Sequence, residues 1–369
     1  MSDAIVIGGG MVGAAIAWGL LRQGMGVTVL DGADEAQRAA RANFGLVWVQ
    51  SKGDGLPEYA AWTREGAALW PGFQELLAGQ TGVSCGFSAP GGLHLCMSEE
   101  ELDGRRGLMQ RMHNVDGPGA FDMRILDRGE LADLLPGIGP EVVGASLCAQ
   151  DGHASPQGLL LALHRGILAQ GGRILSGQEA VALGREAGLW QVETAEARHA
   201  APVLVLAAGT GNLALGRMAG IEIPVSGLKG QILVTERTGP RLPLPTHKVR
   251  QTEAGTLLLG DSKEPEAGLD DRSSGAVIAD IAARSLKMFP WLSEVNLVRA
   301  WGGIRTMTPD SFPVYEAPAS LPGLFAANCH SGVTLAAVHA LKLAPMIAAG
   351  ALAPEIAALS SRRFDVPDN

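Results

Sequence analysis

Short apolar runs, some of them ending in glycine, mark the predicted buried strands. Such runs occupy residues 4–8 (AIVIG), 26–31 (GVTVLD), 203–209 (VLVLAAG) and 324–328 (LFAAN). Continuous apolar runs of this length are typical of parallel strands that are covered on both faces. Residues 9–24 (GGMVGAAIAWGLLRQG) combine small residues with an apolar body and predict a helix between the first two strands. The pattern therefore predicts a βαβ unit and a parallel sheet.

Apolar residues at helical spacing predict further helices. These lie at residues 59–77, 99–114, 157–170, 276–288 and 332–350. Ser155 followed by Pro156 is typical of the N-cap and first position of a helix. Strands are predicted at 91–97 and, around the fourth of these helices, between 224 and 314. Because neither solenoid repeats nor a Pro/Ser-rich linker divides the chain, we expect domains that are interleaved along the sequence.

The composition limits the classes of function. Among 369 residues, 29 Lys and Arg stand against 38 Asp and Glu, and a net charge of −9 argues against nucleic-acid binding. The 50 glycines accompany 47% hydrophobic residues, so they indicate tight turns and close backbone approaches rather than a flexible tract. The cysteines predict neither a disulfide framework nor a zinc site, and we predict no metal site. They are Cys85, Cys96, Cys148 and Cys329.

The apolar run at residues 4–21 is long enough to be compared with a membrane span. It contains five glycines and lacks the basic flank of a signal peptide. We therefore expect no transmembrane segment and a cytoplasmic location.

Residues 8–13 (GGGMVG) form a G-x-G-x-x-G motif between the first predicted strand and the first helix. Each glycine of this motif has a mechanical task. Gly8 permits the tight turn, Gly10 lets backbone amides approach a pyrophosphate, and Gly13 allows the helix to pack closely on the strand.

The residues around this motif predict a dinucleotide site. Met11 and Val12 lie in the first helical turn, where free N–H groups and the helix dipole attract phosphate. Asp31 ends the second strand, where a carboxylate can accept hydrogen bonds from a ribose. Incidental glycines in an apolar helix would leave Asp31 unexplained.

Four segments resemble, in the same order along the chain, motifs of the FAD-dependent amine and D-amino-acid oxidoreductases, the DAO family. They are residues 32–49 (GADEAQRAARANFGLVWV), 203–209 (VLVLAAG), 301–313 (WGGIRTMTPDSFP) and 328–336 (NCHSGVTLA). An NAD-binding fold would continue instead into another helix and parallel strand. The resemblance therefore implies FAD as the cofactor.

The resemblance implies an α/β fold of the glycine oxidase type with two interleaved domains. A doubly wound, Rossmann-like FAD-binding domain is expected to comprise residues 1–88, 146–218 and 302–369. An α+β substrate domain is expected to comprise residues 89–145 and 219–301.

The resemblance also implies residues along the cofactor. The loop after the second strand is expected to follow the flavin diphosphate, and the segment near residue 330 is expected to face the flavin ring. Beyond the glycine motif, the residues expected to contact FAD are Arg41, Asn43, Phe44, Gly45, Val181, Ala208, Gly209, Ser331, Gly332, Val333 and Thr334. Two alternatives stay open: Asn43 as a simple turn residue, and Val181, in the strand after Gly177, as a core residue.

Arg305 matches the family's carboxylate-binding arginine. Its planar fork suits a carboxylate, and the apolar strand before it would carry it into a dry site. Thr306 replaces the family's proline, a change that leaves the role of the arginine intact. The alternative is a buried ion pair between Arg305 and Asp310.

Other basic side chains are candidates for the substrate site. Where related oxidases use a tyrosine, this chain has the sequence HKVR, and strand alternation would separate His247 and Val249 from Lys248 and Arg250. His247 or Lys248 could replace the tyrosine or bind a second polar arm of a larger substrate, and a solvated basic edge is the alternative. His330 could hydrogen-bond the flavin or be structural. The remaining histidines, expected as surface or core residues, are His94, His113, His153, His164, His199 and His339.

Residues 41–53 (RANFGLVWVQSKG) narrow the resemblance to the catalytic β subunits of heteromeric opine and D-hydroxyproline dehydrogenases, with hydrogen cyanide synthase subunits nearby. This implies dehydrogenation of the C–N bond of a D-amino acid, an imino acid or an opine, by hydride transfer from Cα to flavin N5. Electrons would pass to partner subunits, one with an iron–sulfur cluster, and a second flavin, FMN, at an interface is left open. The alternatives are an oxygen-using oxidase of the glycine or sarcosine oxidase type and a non-catalytic flavoprotein subunit.

Overall fold

A computed structural model of the chain describes residues 2–32, 39–40, 42–113 and 123–365. The strands, numbered in chain order, are β1 (Ala4–Ile7), β2 (Val27–Asp31), β3 (Leu46–Val47), β4 (Gly92–Cys96), β5 (Met123–Asp127), β6 (Gly144–Cys148), β7 (Gly152–His153), β8 (Arg173–Ser176), β9 (Ala182–Glu186), β10 (Leu189–Glu193), β11 (Arg198–Ala201), β12 (Val203–Leu206), β13 (Ser226–Arg237), β14 (Val249–Gln251), β15 (Thr256–Leu259), β16 (Leu297–Met307), β17 (Val314–Glu316) and β18 (Leu324–Asn328). The helices are α1 (Met11–Arg22), α2 (Pro57–Thr81), α3 (Glu99–His113), α4 (Arg128–Leu134), α5 (Pro156–Ala169), α6 (Asn212–Ala219), α7 (Gly275–Met288), α8 (Ala336–Val338) and α9 (Ala344–Ala348), with a π-helical turn, His339–Leu343, between α8 and α9.

The largest sheet has the strand order β17-β18-β12-β1-β2-β8. All neighbouring pairs in it are parallel except β17 and β18, so it is a mixed sheet with an antiparallel edge. The apolar strand patterns and the parallel sheet that they predict are confirmed. The sheet places β1, which leads into the glycine motif, in the middle between β2 and β12.

Helix α1 lies in the interior, because its sequence is apolar on nearly every side. Trp18 is fully buried, and α1 contacts α5, the π-helical turn and α9. The start of α5 is also confirmed, since Ser155 Oγ accepts a hydrogen bond from the backbone N–H of Gly158. Among the described residues, no helix combines the length and the apolar character that crossing a membrane requires.

Two further sheets form a second group with a hydrophobic core of its own. The antiparallel sheet β14-β15-β13-β16 and the sheet β4-β6-β5 share a core with α7, which includes Leu93, Leu126, Leu233, Val249 and Ile281. The division into two domains stays a prediction. Its proposed boundaries at 145/146 and 301/302 fall inside β6 and β16, which run on without interruption.

Candidate active site

The glycine motif forms a tight turn between β1 and α1. Gly8 has a φ of +110°, and a Cβ added to Gly13 would lie 1.9 Å from the carbonyl oxygen of Gly8, so larger residues are excluded there. A Cβ added to Gly10 would meet nothing within 4 Å. Space is therefore open in front of the first turn of α1, where Met11 and Val12 lie and where helical N–H groups lack intrahelical partners.

Two side chains hold the backbone of this turn through Gly9. The N–H of Gly9 donates to Asp31 Oδ2 over 2.9 Å, and His164 Nε2 lies 2.7 Å from the carbonyl oxygen of Gly9. Since a carbonyl can only accept, Nε2 is the protonated nitrogen of His164. Asp31 is thus placed at the turn, and His164, expected as a surface or core residue, also belongs to it.

Residues 43–45, which precede β3, are held by a basic side chain from the second group of sheets. Asn43 Oδ1 accepts a hydrogen bond from the N–H of Gly45 over 2.8 Å, and Arg250 Nε donates to the carbonyl oxygen of Phe44. Arg250 is 3% exposed, and burial lowers its pKa to about 9. The alternative of a solvated basic edge is wrong for Arg250. Arg41 lies outside the described residues.

The segment from Ser331 to Thr334 reaches both the glycine turn and strand β3. A Cβ added to Gly332 would lie 3.4 Å from Met11 Cβ. Thr334 Oγ1 accepts a hydrogen bond from the N–H of Trp48 over 3.1 Å and donates to the carbonyl oxygen of Leu46 over 3.2 Å. Val333 is 1% exposed and packs in the core. The structure therefore brings this segment to the glycine turn.

The remaining residues predicted to contact the cofactor are Ala208, Gly209 and Val181. Ala208 and Gly209 follow strand β12, whereas Val181 lies on the surface. Ala208 donates its N–H to Asn212 Oδ1 over 2.8 Å, and a Cβ added to Gly209 would lie 3.0 Å from Thr306 Oγ1, next to Arg305. Val181 was predicted within a strand, but it precedes β9 by one residue and is 54% exposed. Its backbone bonds to Glu193, and its exposed side chain excludes the core alternative.

The guanidinium of Arg305 lies in a cluster of oppositely charged side chains. Its Nη2 atom is 2.6 Å from Asp261 Oδ2, and Lys248 Nζ is 2.5 Å from Asp261 Oδ1. Burial alone would raise the pKa of Asp261, but the charges of Lys248 and Arg305 hold it below its usual value. The expected alternative partner, Asp310, pairs instead with Arg363. Two cations share one carboxylate here, which leaves an excess of positive charge.

His247 points away from this cluster. Its ring stacks on His94, with ring centroids 3.8 Å apart and planes 7° from parallel. Burial and then the charge of His94 hold the pKa of His247 well below its usual value, so both the position and the protonation state separate it from Lys248. Both His247 and Lys248 precede β14, which begins at Val249, so the predicted strand alternation does not apply to them, and His247 does not join Arg305.

His330 lies beside Lys52, a residue that was not among the predicted site residues. Lys52 Nζ is 3.5 Å from His330 Nε2, and His330 Nδ1 is 3.2 Å from Ser331 Oγ, which in turn is 3.0 Å from the Tyr59 hydroxyl. The charge of Lys52 and then burial hold the pKa of His330 well below its usual value. His330 is therefore a neutral imidazole at pH 7. Burial lowers the pKa of Lys52 to about 8.

Buried polar side chains hold the loop that carries Lys52 in place. Asp151 Oδ1 accepts hydrogen bonds from the N–H groups of Val49 and Gln50, and Asp151 Oδ2 accepts one from Gln50 Nε2 over 2.6 Å. Arg105 donates to Gln50 Oε1 over 2.7 Å and to Ser51 Oγ over 2.5 Å. Arg105 lies on α3, a helix rich in charged residues, yet Arg105 is 7% exposed.

Comparisons with known proteins show which protein family has this arrangement of residues. The DAO family model, described as FAD dependent oxidoreductase, matches residues 3–346. The chain belongs to the DAO family. It is 40% identical to an opine oxidase subunit of Rhizobium meliloti over 98% of both chains, and 42% identical to the corresponding opine oxidase subunit of Agrobacterium tumefaciens (strain Ach5) over 98% of this chain and 97% of that one. The crystal structure of glycine oxidase from Geobacillus kaustophilus superposes with a TM-score of 0.88 at 24% identity and covers 97% of this chain and 98% of that one.

The residues of this DAO-family chain fit the dinucleotide that gives the family its description. The space at Gly10 is open, and Met11 and Val12 begin helix α1 directly after it, an arrangement that suits a pyrophosphate. The parallel sheet brings the turn after β12 to the same edge, at Ala208. The residues that sequence reasoning missed are Lys52, His164 and Arg250. The basic character of their side chains is the one sequence signal for these residues. Each of them lies far along the chain from the residues that it contacts, so local sequence patterns do not reveal the contact.

Proposed function

We propose that this chain is the catalytic subunit of a heteromeric dehydrogenase that oxidises the C–N bond of an opine or a related D-imino acid such as D-hydroxyproline. The observation that carries the proposal is the cationic cluster at Arg305, on the strand whose next residue, Thr306, approaches Gly209. The chain is 40% and 42% identical, over 98% of its length, to two proteins named as opine oxidase subunits, and this similarity supports the same class of substrate.

In this proposal, Arg305 binds the substrate carboxylate. The side chain is 26% exposed, so it is accessible, and Lys248 with Arg305 exceeds the charge of Asp261. A planar guanidinium holds a carboxylate through two hydrogen bonds and so fixes the orientation of the Cα–H bond. His330, neutral at pH 7, adds hydrogen-bonding capacity without a further positive charge.

The glycine turn and the segment from Ser331 to Thr334 hold the cofactor in this proposal. The amides of Met11 and Val12 would bind the pyrophosphate, and Gly332 with its neighbours would hold the ring system. FAD, when bound, supplies the acceptor for the hydride that leaves the substrate. The protein's own contribution is to bind, orient and keep water away from the reacting carbon.

Electrons leave through partner subunits in this proposal. The relatives are named as subunits, which supports a multi-subunit enzyme. An iron–sulfur cluster needs several cysteine thiolates, and the cysteines of this chain are each buried with free thiols, so we assign such a cluster to a partner. A second flavin, FMN, would lie at the interface with that partner.

The test is anaerobic reduction of the purified flavoprotein by a panel of opines, D-amino acids and N-alkyl amino acids, followed by air. We expect opines to bleach the flavin fastest and air to reoxidise it slowly. Fast reoxidation with formation of peroxide would establish a self-contained oxidase instead. Failure of every compound to bleach the flavin would favour a non-catalytic subunit.

A further inference from the structure

Lys52 brings a positive charge to the site that forms no ion pair with a carboxylate of the described residues. Within the described ranges, its Nζ atom contacts His330 Nε2, and no Asp or Glu oxygen lies within ion-pair distance. A buried or half-buried ammonium without an anionic partner is unfavourable unless a ligand supplies the anion. Lys52 is partly exposed, so a ligand in the site can reach it.

The backbone around Lys52 is held in one conformation. Ser51 has a φ of +73° and Gly53 a φ of +82°, so Lys52 stands between two left-handed residues. For Ser51 this conformation is strained, and such strain persists only where the surroundings enforce it. Arg105 supplies this restraint through its hydrogen bond to Ser51 Oγ. The position of the Lys52 side chain is thus fixed before any ligand arrives.

Other charged side chains lie within electrostatic range of Lys52. Burial lowers the pKa of Lys52 most, the charge of Asp151 raises it, and the charges of Lys263 and Arg305 lower it. Lys263 also lowers the pKa of Lys248. Asp261 is shared by Lys248 and Arg305, so it does not neutralise Lys52.

We propose that Lys52 binds the second carboxylate of a dicarboxylate substrate whose first carboxylate is held by Arg305. This assignment rests on the proposed function and narrows its substrate class. An opine carries two carboxylates on either side of a secondary amine, whereas D-hydroxyproline carries one. Lys52 therefore selects N-carboxyalkyl amino acids over cyclic or N-alkyl ones.

The hydrogen-bonded chain behind Lys52 orients it for this role. His330 Nε2 accepts from the ammonium, which leaves Nδ1 as the protonated nitrogen that donates to Ser331 Oγ. The other N–H groups of Lys52 stay available to a carboxylate. Burial raises the pKa of the neighbouring Cys329 thiol to about 12, so the thiol remains neutral and does not compete as an anion.

Two unreactive sulfides test the assignment by isothermal titration calorimetry on the holoenzyme. Thiodiacetate has a carboxylate on each side of sulfur, and methylthioacetate has only one. Neither contains a C–N bond, so binding is measured without turnover. We expect thiodiacetate to bind more tightly to the natural protein, and Lys52→Met to weaken thiodiacetate binding about 10- to 100-fold while methylthioacetate changes less than about threefold.

Lys52→Arg is the matched control because it retains the charge. The ammonium of Lys52 loses its proton as pH rises through about 8, with Arg305, Lys263, Asp151, Cys329 and His330 as the surrounding ionisable groups. The preference for thiodiacetate should therefore fall between pH 7 and pH 9.5 in the natural protein and persist in Lys52→Arg, which stays charged.

Equal weakening of both sulfides in Lys52→Met, or no preference for thiodiacetate in the natural protein, would overturn the assignment. FAD content and melting temperature establish that the variants fold. If Lys52→Met does not fold, the pH comparison with Lys52→Arg decides the question alone. Flavin reduction by amines is measured separately, so a failure of the proposed function is distinguishable from a failure of the Lys52 assignment.

Discussion

The glycine turn and the cationic cluster around Arg305 are built in opposite ways. The turn uses backbone groups and residues close in sequence, with Gly8, Gly13 and Asp31 within one βαβ unit. The cluster uses charged side chains, and its members Lys248 and Arg305 come from separate strands. Steric fit therefore governs the first region, and electrostatic balance governs the second.

The largest expected effect tests the steric side of this comparison. In Gly10→Ala the new methyl group meets no protein atom within 4 Å, so the apoprotein should fold with an unchanged melting temperature. The methyl would fill the space needed by the pyrophosphate, and we expect bound FAD to fall below about one tenth of the natural content. Absorbance at the flavin band relative to protein measures this. Gly79→Ala, exposed on α2 with open space, is the control, and full FAD content in Gly10→Ala would contradict the comparison.

The next effect tests the electrostatic side. Arg305→Ala should raise the apparent KM for an opine about 100-fold or more, because the bidentate contact to the carboxylate is lost, while bound FAD is retained. Arg305→Lys should recover part of the loss. Steady-state kinetics with an artificial electron acceptor measure this, with the exposed Arg106→Ala as the control. Unchanged kinetics in Arg305→Ala would refute the assignment of this residue.

An effect of similar size concerns the buried carboxylate that holds the loop of Lys52. Burial raises the pKa of Asp151 to about 7 from 3.8, so the folded state binds this proton more tightly than the unfolded state. Stability is therefore lost as pH rises from 3.8 through about 7, and between pH 4.5 and 7.5 this group removes about 3 kcal/mol from the free energy of unfolding. Urea titrations at both pH values should show a smaller decrease in Asp151→Asn. An identical decrease in both proteins would mean that Asp151 does not titrate in this range.

The smallest effect returns to the glycine turn. His164→Phe keeps the ring but removes the hydrogen bond to the carbonyl oxygen of Gly9, and we expect the Kd for FAD to rise about three- to tenfold. Fluorescence titration of the apoprotein with FAD measures it. Arg165→Ala, exposed on the same helix, should leave the Kd unchanged. A loss as large as that of Gly10→Ala would mean that a side chain, not backbone fit, governs the turn.

Much of the fold followed from local sequence, whereas parts of the site did not. The βαβ unit at the N-terminus could be predicted because its pattern and motif lie within about 30 residues. The contact between Lys52 and His330 joins residues 278 positions apart, and that between Arg250 and Phe44 spans 206. Nothing in local periodicity encodes such contacts. Arg305 was an expected candidate, yet its partner Asp261 was missed because ion pairing depends on the tertiary fold.

The proximity of Gly332 to Met11 has a consequence for folding. The contact closes a loop of the chain that includes β2, β8, β12, β17 and β18. The entropy cost of closing a loop of this length is offset only when the elements within it have packed. The pocket in front of the glycine turn is therefore expected to form late in folding, together with the whole sheet rather than with the first βαβ unit.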